Sequence, residues 1–280
     1  CDQLIGAYRA RGQRVGVIAV DPTSPHTGGA ILGDRIRMAR HSTDEGVFIR
    51  SLATRGNLGG LSRSARDSAR VLEAAGFGVV IIETVGVGQD ELDVARTAQS
   101  TLVVVVPGLG DEVQAIKAGI LECADAFAVN KADREGADAA VRDLQLMISL
   151  GNESMLALSK ARGHAVHGAA GGFAPASPES TDRWTPPIVK CIATRGDGIS
   201  DLVGALDRHR AWLDGTSAGA DRKRERLAEE LRSTLRERLL EEIASDLGAR
   251  ISQAVIDVEA RHVDPYAAAD DMVAAFRAAR

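Results

Sequence analysis

Apolar residues gather in six short runs along the chain, at 15–20, 47–53, 79–83, 101–106, 126–129 and 188–193. Most are nearly unbroken Val/Ile stretches. Strands covered on both faces read this way, whereas a half-exposed strand alternates. Between the runs the apolar spacing changes to three and four residues, which predicts helices over 61–75, 111–124 and 137–150. An earlier amphipathic stretch places Leu4, Ile5 and Tyr8 at helical spacing, is closed by Gly12, and leads into the first run. Strands alternating with helices predict an α/β fold, a mainly parallel sheet flanked by helices. Ligands on such sheets bind at the carboxyl ends of the strands. The residues just after each run are therefore the candidates for chemistry.

Beyond Trp212 the pattern changes. "DGTSAGADRK" reads as a linker, and the chain divides into a domain at 1–213 and a helical extension at 214–280. In the extension Leu227, Leu231, Leu235, Leu239, Ile243 and Leu247 recur every four residues, with Arg, Glu and Lys between them, until Gly248. This predicts a long amphipathic helix with one apolar stripe. A second helical segment covers 251–258, and Asp264 caps a third that starts at Pro265. The stripe packs either on its own domain or on a partner subunit. From 160 to 187 the sequence turns to Gly, Ala, Ser and Pro, which reads as a surface loop. Its His164 and His167 are read as incidental to that loop rather than as metal ligands.

Composition narrows the picture. The chain has 280 residues, 45% hydrophobic but only 3% aromatic, so its core is aliphatic. A net charge of -5 argues against nucleic acid or an anionic membrane as the main partner. Three scattered cysteines build neither a disulfide framework nor a metal site, which favours a reducing, cytoplasmic compartment. No apolar run is long enough to span a bilayer.

Three strand ends carry the candidate chemistry. "VNKAD" places Asn130, Lys131 and Asp133 in the N-K-x-D pattern of guanine-nucleotide binding. An aspartate carboxylate only accepts hydrogen bonds, and guanine offers it two neighbouring donors that adenine lacks. "IIETVGVGQD" places Glu83 and Gly86 in an acidic-x-x-Gly pattern. There a carboxylate can hold Mg²⁺ and a glycine amide can reach a γ-phosphate. "VDPTSPHTGGAILGDRIRM" adds Asp21 at a strand end and Asp34 after a glycine. Asp34 is either a metal-organising residue or a plain N-cap. Gln89 and Asp34 are candidates for placing the attacking water. The phosphate-cradling G-x-x-x-x-G-K-[ST] loop is not in these 280 residues. The order helix, strand, aspartate predicts that such a strand and loop lie immediately before Cys1.

Taken together, these blocks resemble the MeaB/ArgK family, the methylmalonyl-CoA mutase-associated GTPases of the SIMIBI class. The resemblance rests on "AVDPTSPHTGGAILGDRIRM", "LEAAGFGVVIIETVGVGQDELDVA", "PGLGDEVQAIKAGILECADAFAVNKAD", "PPIVKCIATRGDGI" and "RHVDPYAAAD". It implies a P-loop GTPase fold, GTP or GDP as ligand, and Mg²⁺ organised by Asp21, Glu83 and Asp34. It implies that Ile192, Ala193 and Thr194 approach the base. A partner-sensing segment would hold Asp111, Glu112, Gln114 and Lys117. The implied function is a GTPase chaperone that protects an adenosylcobalamin-dependent acyl-CoA mutase and gates its cofactor loading, acting as a homodimer through the C-terminal helices. Two alternatives are a metal-insertion GTPase of the same class and a non-catalytic scaffold that only binds the partner.

Overall fold

The computed structural model describes residues 1–21, 38–53, 60–84, 97–108, 123–162 and 183–278. The first helix, α1 (Asp2–Ala10), buries Ile5 and Tyr8 and ends where Gly12 takes φ 76°, a left-handed turn that favours glycine. The chain then enters β1 (Val15–Asp21). After a short 3₁₀ turn at Ala39–His41 come β2 (Val47–Ala53), α2 (Gly60–Ala74) and β3 (Val79–Thr84). These strands form a parallel sheet in the order β2-β1-β3, with Val15 opposite both Val47 and Val79.

A second parallel sheet follows. It holds β4 (Leu102–Val105), β5 (Ala126–Asn130) and β6 (Ile188–Cys191) in the order β4-β5-β6. Helix α3 (Ala137–Arg162) precedes β6, and α4 (Ile199–Gly215), α5 (Ser217–Glu259) and α6 (Pro265–Ala278) complete the chain. Parallel neighbours need crossover connections, and among the described residues α2 runs between β2 and β3 and α3 between β5 and β6. Among the described residues, β3 and β4 each pair along one edge only.

The central strands β1 and β5 are covered on two faces, as unbroken aliphatic runs require. On one face of the first sheet Val15 and Val17 pack with Ile5, Tyr8 and Val203. On the other, Ile18 and Val20 pack with Ala65 and Leu72 of α2. In the second sheet Phe127 and Val129 meet Ala140 and Leu144 of α3. Ala128 and Cys191 meet Ile199 and Leu202 of α4, with Leu4 and Ala7 of α1 against them. Helix α1 thus contributes to the cores of both sheets. Each fully buried Val, Leu, Ile or Phe contributes about 1.5–3 kcal/mol relative to exposure.

Several sequence expectations change. Helix α3 continues past residue 150 to Arg162 and absorbs the start of the expected loop. The rest of that loop, with His164 and His167, lies outside the described residues, as does most of the helix expected at 111–124. The stretch read as a linker is helical apart from a break at Thr216. Thr216 Oγ1 caps the next helix by accepting the Gly219 N–H at 3.0 Å. Gly219 is there for close approach: a Cβ on it would lie 2.5 Å from the Trp212 carbonyl oxygen. Gly248 does not end the long helix, which runs on to Glu259 and merges the segment expected at 251–258. Asp264 does cap α6, accepting the N–H groups of Tyr266 and Ala267 at 2.9 and 3.1 Å.

The chain forms two compact units, Cys1–Lys223 and Arg224–Arg280. In the second unit Leu227, Leu231 and Leu235 are 54%, 70% and 56% exposed, while Leu247 is buried.

Candidate functional site

The guanine-type motif sits where β5 ends. Asn130 is its last residue and is half-buried. Its side-chain oxygen Oδ1 accepts the N–H of Ala193 at 3.1 Å, and the Cys191 thiol lies 3.8 Å from the same atom. With Oδ1 committed to those donors, the Asn130 amide group is left to donate elsewhere. The backbone ties the same two loops a second time, because Ala132 N–H donates to the Cys191 carbonyl at 3.1 Å. Lys131 and Asp133 are both exposed on this turn, and Lys131 takes φ 57°, an uncommon value for a residue with a side chain.

The adjoining loop is built to stay put. The strand expected at 188–193 stops at Cys191, and the chain turns so that Ile192 N–H donates to the Asp197 carbonyl at 3.0 Å. Gly196 and Gly198 both have positive φ, 80° and 75°. A Cβ on Gly198 would lie 2.2 Å from the Lys190 carbonyl oxygen, so only glycine fits there. Ile192 and Ala193 are half-buried and Thr194 is exposed beside the motif. Below the loop, the Lys190 ammonium pairs with Asp138, and this hydrogen bond holds the Asp138 carboxyl below the usual carboxylate range. Burial pushes the Cys191 thiol up, so it stays protonated and acts as a packed side chain.

Glu83 belongs to the first sheet. It lies one residue from the end of β3, opposite Ala19 of β1, and is half-buried. No hydrogen bond or ion pair among the described residues joins it to the Asn130 turn. The backbone of Asp21 ends β1 opposite Ala53. The remaining expected positions, Asp34, Gly86, Gln89, Asp111, Glu112, Gln114 and Lys117, lie outside the described residues. So the structure brings together Asn130, Lys131, Asp133 and the 192–194 loop, and sets Glu83 on a separate strand end. Among the described residues no cluster of three His, Cys, Asp or Glu side chains is poised around a metal position.

Two arrangements were not anticipated from the sequence. Asp2, in the first turn of α1, receives Arg40 at 2.7 and 2.6 Å and His41 at 3.0 Å, which anchors the residues that follow 22–37 to the head of that helix. At the opposite end of β5, Asp125 is 1% exposed and holds Arg222 at 2.6 Å. The available signal was a charged residue placed directly against a buried strand, in "CADAFAVN".

Comparison with known proteins identifies the family. Residues 1–247 match the family model described as methylmalonyl Co-A mutase-associated GTPase MeaB. A Pyrococcus abyssi protein named provisionally as a GTPase is 43% identical over 270 residues, covering 96% of this chain and 76% of its own length. The GTPase ArgK of Escherichia coli is 35% identical over 221 residues, covering 79% of this chain and 60% of its own length. The crystal structure of a LAO/AO transport system kinase superposes with a TM-score of 0.59 at 24% identity, covering 99% of this chain and 76% of that one. The last likeness concerns the fold alone.

Proposed function

The chain belongs to the MeaB family of methylmalonyl Co-A mutase-associated GTPases, and from that membership we propose that it is a chaperone for an adenosylcobalamin-dependent acyl-CoA mutase, guarding the enzyme and gating its cofactor loading. The family description supports the mutase as partner, and so does a mouse relative, 34% identical over 192 residues, named methylmalonic aciduria type A homolog, mitochondrial.

The observation that carries the nucleotide reading is the turn at Asn130, tied to the 192–194 loop by side chain and backbone. Its amide oxygen accepts Ala193 N–H, which ties the motif to the 192–194 loop. Asp133 would then accept from the two adjacent donors of guanine. Each charge-assisted bond is worth about 1.5–3 kcal/mol, which separates guanine from adenine decisively. The stem of Lys131 would cover the base, and Ile192, Ala193 and Thr194 would line its edge.

Glu83 fits a magnesium ion held through water, as a half-buried carboxylate at a strand end. Asp21 and Asp34 are proposed to join it there. When bound, the ion would supply positive charge to the phosphates. Gly86 would sense the γ-phosphate, Gln89 or Asp34 would place water, and Asp111, Glu112, Gln114 and Lys117 would report nucleotide state to the mutase.

A second copy of this chain is the proposed cover for the exposed leucine stripe, giving a homodimer. We place the protein in the cytoplasm; no described helix is long and apolar enough to cross a membrane. Competition titration tests the nucleotide reading. GTP and GDP should displace a labelled guanine nucleotide far better than ATP, and equal displacement by ATP would sink it. Co-purification with the mutase, strengthened or weakened by the nucleotide supplied, tests the partner.

A further inference from the structure

Strand β5 is five residues long, about 17 Å at the usual rise per residue. Asn130 ends it at the guanine turn, and Asp125 stands immediately before its first residue. The two ends are held very differently from ordinary strand ends. Asp125 Oδ2 accepts Thr101 N–H at 2.8 Å, while the N–H groups of Asp125 and Ala126 both donate to the Thr101 carbonyl, at 2.8 and 3.2 Å. Asp125 Oδ1 takes the Arg222 guanidinium at 2.6 Å. Trp184 donates its indole N–H to the Asp125 carbonyl at 2.8 Å.

His209 completes the cluster. It is fully buried between Trp184 and Trp212, with its Nδ1 2.7 Å from Ser100 Oγ and its Nε2 3.4 Å from Asp125 Oδ1. An imidazole without exposed surface cannot serve a substrate, so Ser100, His209 and Asp125 form a tie rather than a hydrolytic triad. The charged partner is Arg222, which lies in the second turn of α5, the helix that later carries the leucine stripe.

We propose that Arg222 is a positioning residue for the guanine site. By holding Asp125 it fixes where β5 lies along its own axis, and hence where Asn130 meets the base. The proposal rests on the guanine reading of Asn130, Lys131 and Asp133. β5 is hydrogen-bonded to β4 and β6 on its two sides, so it is the stiff central element of its sheet and carries a shift at one end to the other. Removing Arg222 leaves a buried carboxylate without its cationic partner, and the start of the strand must move to resolvate it. Linkage makes the effect reciprocal: guanine occupancy must then alter how the first turns of α5 are held.

The protein has two tryptophans, and both touch this cluster, so their emission reports on it directly. The test titrates GDP, with ADP as control, into the full chain and into Arg222→Gln and Arg222→Lys. The wild-type emission should change with GDP and not with ADP. Arg222→Gln should weaken GDP binding at least about fivefold, the lower end of ordinary coupling between sites, and lose the emission change. Arg222→Lys should restore most of both, because it keeps a charge within reach of Oδ1. Unchanged GDP affinity in Arg222→Gln, or a wild-type emission blind to bound GDP, overturns the proposal. If Arg222→Gln fails to fold, the wild-type emission decides alone. Should GDP and GTP bind no better than ADP, the guanine reading falls and this inference falls with it.

Discussion

Replacing Gly198 by alanine should damage the protein through a clash that can be separated from backbone strain. Gly198 has φ 75° and Gly12 has φ 76°, so an alanine at either must adopt the same left-handed conformation. That conformation costs about 1–2 kcal/mol. The gain from stiffening the unfolded chain, about 0.4–1 kcal/mol, offsets part of it. The surroundings differ. A Cβ at Gly12 meets nothing within 4 Å, whereas one at Gly198 meets the Lys190 carbonyl oxygen at 2.2 Å and Cys191 Cα at 3.1 Å. These are backbone atoms of β6 and cannot swing away, so overpacking adds about 1–3 kcal/mol. Gly12→Ala should therefore cost about 1 kcal/mol and Gly198→Ala about 2–4 kcal/mol by urea denaturation at neutral pH. Displacing Lys190 and Cys191 also pulls on the carbonyl that receives Ala132 N–H, so Gly198→Ala alone should weaken GDP binding. Equal losses at the two glycines would refute the steric reasoning. A stability loss at Gly198 with full nucleotide affinity would detach this loop from the base.

Asp133→Asn should cost guanine at least about tenfold in affinity, one charge-assisted bond, and shift preference towards xanthine nucleotides, whose extra carbonyl accepts from an amide; competition titration reads both. Glu83→Gln should lower magnesium-dependent GTP hydrolysis more than it lowers GDP affinity, and unchanged turnover would make Glu83 a structural residue. Burial holds His209 below the ordinary imidazole range; Asp125 opposes that shift and Arg222 reinforces it. The unfolded chain then binds a proton from about pH 6.5 downwards that the folded chain refuses, so stability should fall as pH drops through that window. His209→Gln should flatten the fall, measured as urea midpoints against pH. Leu231→Glu with Leu235→Glu should turn a dimer into a monomer by sedimentation, and an unchanged mass would place the contact elsewhere.

The strands were legible because a short unbroken aliphatic run announces itself. Val15, Val79 and Phe127 each fall within an expected run, with ends shifted by one or two residues. The position of Asn130 was legible as well, at the end of an expected run. Glycines misled. Gly215 and Gly219 suggest a flexible linker, yet Gly219 lets α5 start against the Trp212 carbonyl, a contact between segments that no local pattern encodes. Gly248 sits inside α5 with open space around it, and the helix passes through. Asp125 was illegible for a related reason. Its partners Thr101, Trp184, His209 and Arg222 are scattered along the sequence, and only the sheet gathers them.

Lys131 has a bearing on how this protein should be improved. Its backbone sits at φ 57°, where glycine or asparagine would be at ease and lysine is not. A screen that selects only for higher melting temperature would favour Lys131→Gly, because relief of that strain is a gain the folded state registers at once. The same exchange discards the side chain proposed above to cover the base. At this position thermal selection and selection for nucleotide binding pull in opposite directions. A library scored on heat alone would drift towards a sturdier protein that has forgotten its ligand.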